Sequence, residues 1–272
     1  MSYPTRIRTA LMSVLAASIC LATQPSHAAE PDFGSLKLLT GDSDTSPVPS
    51  GFVAGAVAIG FTPRYNGNSN NSTIIPGAVY FGDKFMYLGD RGRYYFAQGG
   101  GAAGFVYGRY RFGNLDPEDS SEFTGMHERE GEFEMGLGAN FVTPYALLTV
   151  RAAGDVTGTS KGSELLLWSD FPIVRGRWLF MPGIGLMWRS SKMANYYFGG
   201  VRPDEATPTR AAHDTGSTIS PMASLVTTYR FAPNWLGTLS AGYEYFDNGI
   251  ANSPLVNHRN EWTWFAGVGY TW

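Results

Sequence analysis

The last twelve residues, EWTWFAGVGYTW, alternate. Trp262, Trp264, Ala266, Val268, Tyr270 and Trp272 share one parity, and Glu261, Thr263, Phe265, Gly267, Gly269 and Thr271 share the other. A period of two is the β-strand period, because successive side chains point to opposite faces. One face is apolar with aromatic rings at both ends; the other is small, polar or charged apart from Phe265. A strand that crosses lipid with its ends at the two interfaces has this pattern. The stretch therefore reads as the closing strand of a transmembrane β-barrel. Trp264, Ala266, Val268, Tyr270 and Trp272 form its C-terminal assembly signal, the feature that barrel-assembly machinery would engage.

The alternatives are few. Apart from one short segment at the N-terminus, no apolar run approaches the roughly 18 residues that a membrane helix needs. A closed barrel is the other way to cross a bilayer with every backbone group paired. The 34 glycines, 14 % aromatic and 16 % charged residues suit such strands better than helices.

The N-terminus has the form of a secretion signal: Arg6 and Arg8, an apolar core over residues 11–22, then Ser26-His27-Ala28 as the cleavage site. The only cysteine, Cys20, lies inside that core behind a bulky Ile19, which is unsuited to lipid attachment. A chain cut after Ala28 holds no disulfide and no thiolate metal site. Without Arg6 and Arg8, 18 basic residues stand against 23 acidic ones, a net charge of −5 that argues against nucleic-acid partners.

Three segments follow: the signal over 1–28, a flexible periplasmic lead-in over 29–50 rich in Ser, Asp, Pro and Gly, and an all-β antiparallel barrel over 51–272. Strands are expected at 52–62, 73–81, 84–89, 93–98, 102–112, 132–143, 145–155, 164–174, 178–189, 218–231, 235–246 and 260–272. That makes twelve, with ten as the alternative if the short pair at 84–98 does not cross. Turns at 143–144, 174–178 and 232–234 are tight and read as periplasmic. The loops at 113–131, 156–163, 190–217 and 247–259 are longer and polar and read as outer loops facing lipopolysaccharide. Pro76, Pro172, Pro182 and Pro221 interrupt strands, and bulges are expected there.

Alternation also sorts the faces. Phe133, Met135, Leu137, Ala139 and Phe141 oppose Glu132, Glu134 and Asn140; Trp235, Leu239, Ala241, Tyr243 and Tyr245 oppose Thr238, Ser240 and Glu244. The polar parity defines a lumen that carries Arg109, Arg111, Arg151 and Arg230 with Glu132, Glu134, Glu164, Asp170, Glu244 and Glu261. Opposed rows of this kind can set the field of a narrow aqueous pore. They can equally be a neutralising network that fills the lumen.

Catalytic signals are sparse. His127, His213 and His258 fall in outer loops, and the His213-Asp214 dipeptide has no second carboxylate pair to share acid–base work. The acidic stretch 116–132 lacks the regular spacing of a calcium loop. The reading is a chain without catalytic residues, cofactor or metal.

Three stretches carry a family resemblance. GFVAGAVAIGFTPRYNG (51–67), SKMANYYFGG (191–200) with the later TTYRFAPNW (227–235), and NSPLVNHRNEWTWFAGVGYTW (252–272) resemble the MipA/OmpV family of MltA-interacting outer-membrane proteins. Gly200 stands where the family pattern has an apolar residue. The resemblance implies an outer-membrane barrel that scaffolds a murein-cleaving lytic transglycosylase and a murein synthase, with channel activity or surface adhesion as alternatives. It implies no catalytic residues.

Overall fold

The computed structural model describes residues 46–66 and 71–272. The expected signal and the lead-in as far as Thr45 lie outside the described residues. One antiparallel sheet holds β1 (Gly51–Phe61), β2 (Asn71–Phe81), β3 (Phe85–Tyr87), β4 (Arg91–Gly99), β5 (Ala102–Arg111), β6 (Glu132–Val142) and β7 (Leu147–Asp155). It continues through β8 (Ser163–Asp170), β9 (Ile173–Arg175), β10 (Trp178–Arg189), β11 (Thr218–Ala232), β12 (Trp235–Tyr245) and β13 (Asn260–Thr271). β13 pairs with β1, and β10 pairs with both β8 and β11, so twelve strands close a ring. The thirteenth, β9, lies beside β10 alone. No helix among the described residues is long and apolar enough to cross a membrane; the crossing is made by strands.

The expected parities hold. Leu137, Leu239 and Ile184 are each more than half exposed on the outer wall, where hydrocarbon covers them. At the end with the short turns, aromatic rings run around part of that wall. Trp178 packs on Tyr229 at 4.4 Å between centroids, Trp235 on Tyr270 at 5.3 Å, Tyr270 on Trp272 at 5.0 Å, and Phe52 on Trp272 at 5.4 Å. Such amphipathic rings mark the bilayer interface, here the periplasmic one.

Two strand expectations are corrected. The strand expected over 164–174 breaks at Phe171-Pro172 into β8 and β9. Register shifts occur at Tyr95/Ala97 and Arg230/Ala232, not at the prolines. Each proline inside a strand instead turns its missing N–H to a place without a ladder partner. Pro182 faces the β8–β9 break, where its carbonyl accepts from the Phe171 N–H at 2.8 Å. Pro221 lies one residue beyond the β11–β12 ladder, which begins at Met222↔Glu244. Pro76 pairs regularly with Ala56 of β1 and turns its other edge toward the short β3.

Inside the periplasmic half, opposite walls meet. Phe105 and Tyr107 of β5, Met86 of β3 and Tyr95 of β4 form one apolar core with Leu179 and Met181 of β10 and Val226 of β11. β5 and β11 stand five places apart in the twelve-strand ring, so this core spans the lumen. Val48 joins it at 3 % exposure. Ser46, Pro47, Val48 and Pro49 are therefore a strap tucked into the periplasmic mouth, where a flexible lead-in was expected to continue to residue 50.

Candidate functional site

Charge occupies the outer half of the lumen. Ladder register places Arg109 beside Glu134 and Arg111 beside Glu132 on β5 and β6, and Arg189 beside Glu164 on β10 and β8. The side chains then reach further than their ladder neighbours. Arg109 donates to Glu134 at 2.6 Å and to Glu164 at 3.3 Å. Arg111 donates to Glu134 at 2.6 Å and Glu164 at 2.7 Å, with Glu132 at 3.6 Å. Arg151 reaches Glu164 at 2.6 Å. Across the lumen, Arg189 meets Glu244 and Arg64 meets Glu261, both at 2.6 Å. Five arginines and five glutamates thus pair off, all nearly or wholly buried. Burying such charges is tolerated only when each finds a partner and its remaining donors find acceptors.

Aromatic rings cover what the carboxylates leave. Arg151 lies 4.2 Å from the centroid of Tyr107 and Arg93 4.7 Å from that of Phe105. Phe198 is held between two guanidinium groups, Arg189 at 4.0 Å and Arg64 at 4.3 Å. A desolvated cation over a ring is worth on the order of 2 kcal/mol.

Phe198 belongs to the outer loop 190–217, which folds inward. Ser190 starts helix α1 (Ser191–Tyr197) by accepting from the Met193 N–H. At its other end the Tyr197 carbonyl accepts from Tyr65 at 2.6 Å, Asn114 at 2.7 Å and Arg64 at 3.0 Å. Three donors there satisfy a carbonyl that the helix leaves open and suit its negative end. Burial raises the Tyr197 phenol well above its ordinary value, so it stays a donor and bonds the Glu130 carbonyl at 2.7 Å. Gly200 follows because a Cβ there would lie 2.3 Å from the Asn195 carbonyl oxygen.

The outer loops form a cap with cores of their own. Tyr65, Leu115, Phe123, Met126, Val201 and Leu255, from four loops, pack together. Arg129 clasps Glu205 through two contacts of 2.8 Å. Burial opposes the charge on Glu205, but the hydrogen bonds from Arg129 outweigh it and hold the carboxyl down at about 2. Arg210 donates to the carbonyls of Glu122, Thr124 and Glu205. These loops, expected as long polar loops facing lipopolysaccharide, are a packed lid.

Arg109, Arg111, Arg151, Glu132, Glu134 and Glu164 come together in one network, and Glu244 and Glu261 enter it through other arginines. Asp170 lies apart in the lower half, accepting from Trp168 at 2.8 Å. Arg230 lies at the periplasmic mouth, donating to the carbonyls of Ser46 and Pro233. Trp264, Ala266, Val268, Tyr270 and Trp272 lie on the outward face of β13, with Trp264, Val268 and Trp272 exposed to the bilayer side. Sequence reasoning missed Arg189, which the parity of Trp188 could have flagged, and Arg64, Arg129 and Glu205, whose roles rest on loop packing. His213 and Asp214 turn away from each other, toward the Gly249 carbonyl and Asn195. Among the described residues no three His, Cys, Asp or Glu side chains converge as a metal site.

Comparison with known proteins adds context. A family model described as MltA-interacting protein MipA matches residues 55–272. The MltA-interacting protein of Escherichia coli (strain K12) is 26 % identical over 203 residues, 73 % of this chain and 80 % of that protein. Outer membrane protein OmpV of Vibrio cholerae is 28 % identical over 155 residues, 57 % of this chain and 60 % of that protein. Among solved structures, the NanC porin covers 81 % of this chain and 99 % of its own at 10 % identity and a TM-score of 0.39, too loose a likeness to argue from. A closed barrel with a lipid-facing apolar wall, together with relatives named as outer-membrane proteins, places the chain in the outer membrane of a Gram-negative cell.

Proposed function

Because the chain belongs to the MltA-interacting protein MipA family, we propose that it is a non-conducting docking protein that holds a murein-remodelling enzyme at the outer membrane. The observation that carries this reading is the filled lumen. An apolar core joins opposite walls below, a neutralised network and α1 occupy the space above except along the β1–β2 wall, and a strap occupies the lower mouth. A pore field needs hydrated charges, whereas these are buried and paired. Binding is what remains for such a barrel, and a relative's name, MltA-interacting protein, points to a lytic transglycosylase as the partner; a murein synthase as the second enzyme is what the family resemblance implies.

The periplasmic turns offer little surface, so the lead-in is the docking element. Because Ser46–Pro49 is built into the barrel, the segment to remove ends at Thr45. Full-length chain in lipid vesicles should retain a lytic transglycosylase and be silent in a planar bilayer. Deleting residues 31–45 should abolish retention. Stepwise, ion-selective currents from the full chain would replace this reading with that of a small-solute channel. Retention unchanged by the deletion would move the docking site to the barrel itself.

A further inference from the structure

Among the described residues, one strand of the ring leaves part of an edge unpaired. β2 pairs with β1 along its whole length, from Phe61↔Asn71 to Gly51↔Phe81. Its other edge meets β3 only at Tyr80↔Tyr87 and Phe81↔Met86. The β3–β4 hairpin ends too soon to cover more: β3 has three residues, and the chain reverses at Gly89, whose φ is 91°. The Gly82 N–H donates to Phe85 across this edge, so Ser72, Ile74, Pro76 and Ala78, in step with Gly82, turn their backbone groups toward the opening. Exposure agrees. Ser72, Thr73 and Ile74 are exposed on both faces of the strand, Ile74 at 77 %.

The lumen wall behind this opening differs from the rest. Register with β13 and β2 turns Val57, Ile59, Ile75 and Phe265 inward, and all four are only partly buried. The facing wall of Arg109, Arg111, Arg151, Glu134 and Glu164 is fully buried. The space left in the outer half therefore lies along an apolar wall beside the open edge. Open strand edges do not face hydrocarbon without something to satisfy them.

We propose that the slot between β2 and the β3–β4 hairpin admits one acyl chain of an outer-leaflet lipid. The hydrocarbon lies against Val57, Ile59, Ile75 and Phe265. The ester, amide or hydroxyl groups where the chain joins its head hydrogen-bond to the outer end of the β2 edge, at Ser72 and Ile74. Three features select this occupant. The slot opens on the lipid-facing wall, so the bilayer is its neighbour. Its rim offers hydrogen bonds, and Pro76 offers only a carbonyl. Its depth along β1, β2 and β13 is lined by apolar side chains.

Photo-crosslinking tests this on the full-length protein in phosphatidylcholine vesicles that contain a lipid with a diazirine in mid-chain, with crosslinked residues mapped by mass spectrometry. Crosslinks at Val57, Ile59, Ile75 or Phe265 are the expected result, and Ile75→Trp should abolish them while Ile74→Trp leaves them in place. Crosslinks confined to outward residues such as Ile74, Leu239 and Val268 would overturn the proposal. So would inward crosslinks that survive Ile75→Trp in a barrel shown to be folded by heat-modifiable gel migration.

Discussion

Replacing Glu164 by glutamine keeps the shape of the side chain and removes one negative charge from the centre of the lumen. Its carboxylate accepts from Arg151 at 2.6 Å, Arg111 at 2.7 Å and Arg109 at 3.3 Å, and it is buried. After Glu164→Gln, Arg109 and Arg111 keep their contacts with Glu134, and Arg111 its approach to Glu132, but all three arginines lose the carboxylate they share. At an effective dielectric near 20, two unit charges about 4 Å apart interact by roughly 4 kcal/mol. Removing one partner of a buried pair costs about 3–5 kcal/mol, and because the amide carbonyl still accepts one hydrogen bond the lower end, about 3 kcal/mol, is expected. Urea unfolding in lipid vesicles, followed by tryptophan fluorescence, reads this as a lower midpoint at unchanged slope. Adding Arg151→Met restores the balance of charge, so the double variant should recover part of the loss, with a coupling of about 1–3 kcal/mol. A loss under about 1 kcal/mol, the size of an exposed pair, would refute the reasoning. It would mean that water reaches these charges, and the pore reading would gain what the filled lumen loses.

Three further outcomes follow from the geometry. A Cβ at Gly55 would lie 1.9 Å from the Val268 carbonyl oxygen, so Gly55→Ala should leave the chain in the unfolded band of a heat-modifiable gel, while Gly99→Ala, which meets open space, should fold normally. Glu205 titrates near 2, below the ordinary glutamate value of about 4.3, so its clasp on Arg129 stabilises the cap fully above that value and is lost as pH falls through about 2. Pepsin should therefore spare the cap loops at pH 4 and cut them near pH 2, and cutting of Glu205→Gln already at pH 4 would confirm the clasp. Arg230→Met removes the donor that holds the Ser46 carbonyl, so the strap should become cleavable by a protease on the periplasmic side while the barrel migrates as folded.

The ring was legible because alternation is local. Each strand carries its own two-residue period, and residues such as Leu137 against Glu134, or Leu239 against Glu244, declare their face without reference to any neighbour. Parity likewise sent Arg109, Arg111, Arg151 and Glu164 into one lumen. The prolines were misread for the opposite reason. Whether a missing N–H matters depends on the neighbouring strand, and Pro182 is harmless only because β8 and β9 part beside it. The strap was hidden because S-P-V-P has the composition of a linker, and only the cavity beneath it makes Val48 a core residue.

The choice between pore and plug was beyond alternation altogether. Parity fixes which charges face inward, but a charged row can be hydrated or paired, and pairing is set by groups far away in sequence. Arg189 is balanced by Glu244 of a strand 55 residues on, and it is shielded by Phe198 from a loop whose inward turn depends on Tyr65, Asn114 and Arg64 holding the end of α1. The same loop buries Tyr197 against Arg111. The lid and the lumen network therefore support each other: the loop supplies the rings and excludes water, and without water the arginines and glutamates must stay paired. Loosening the cap should thus weaken the lumen, and unpairing the lumen should release the cap.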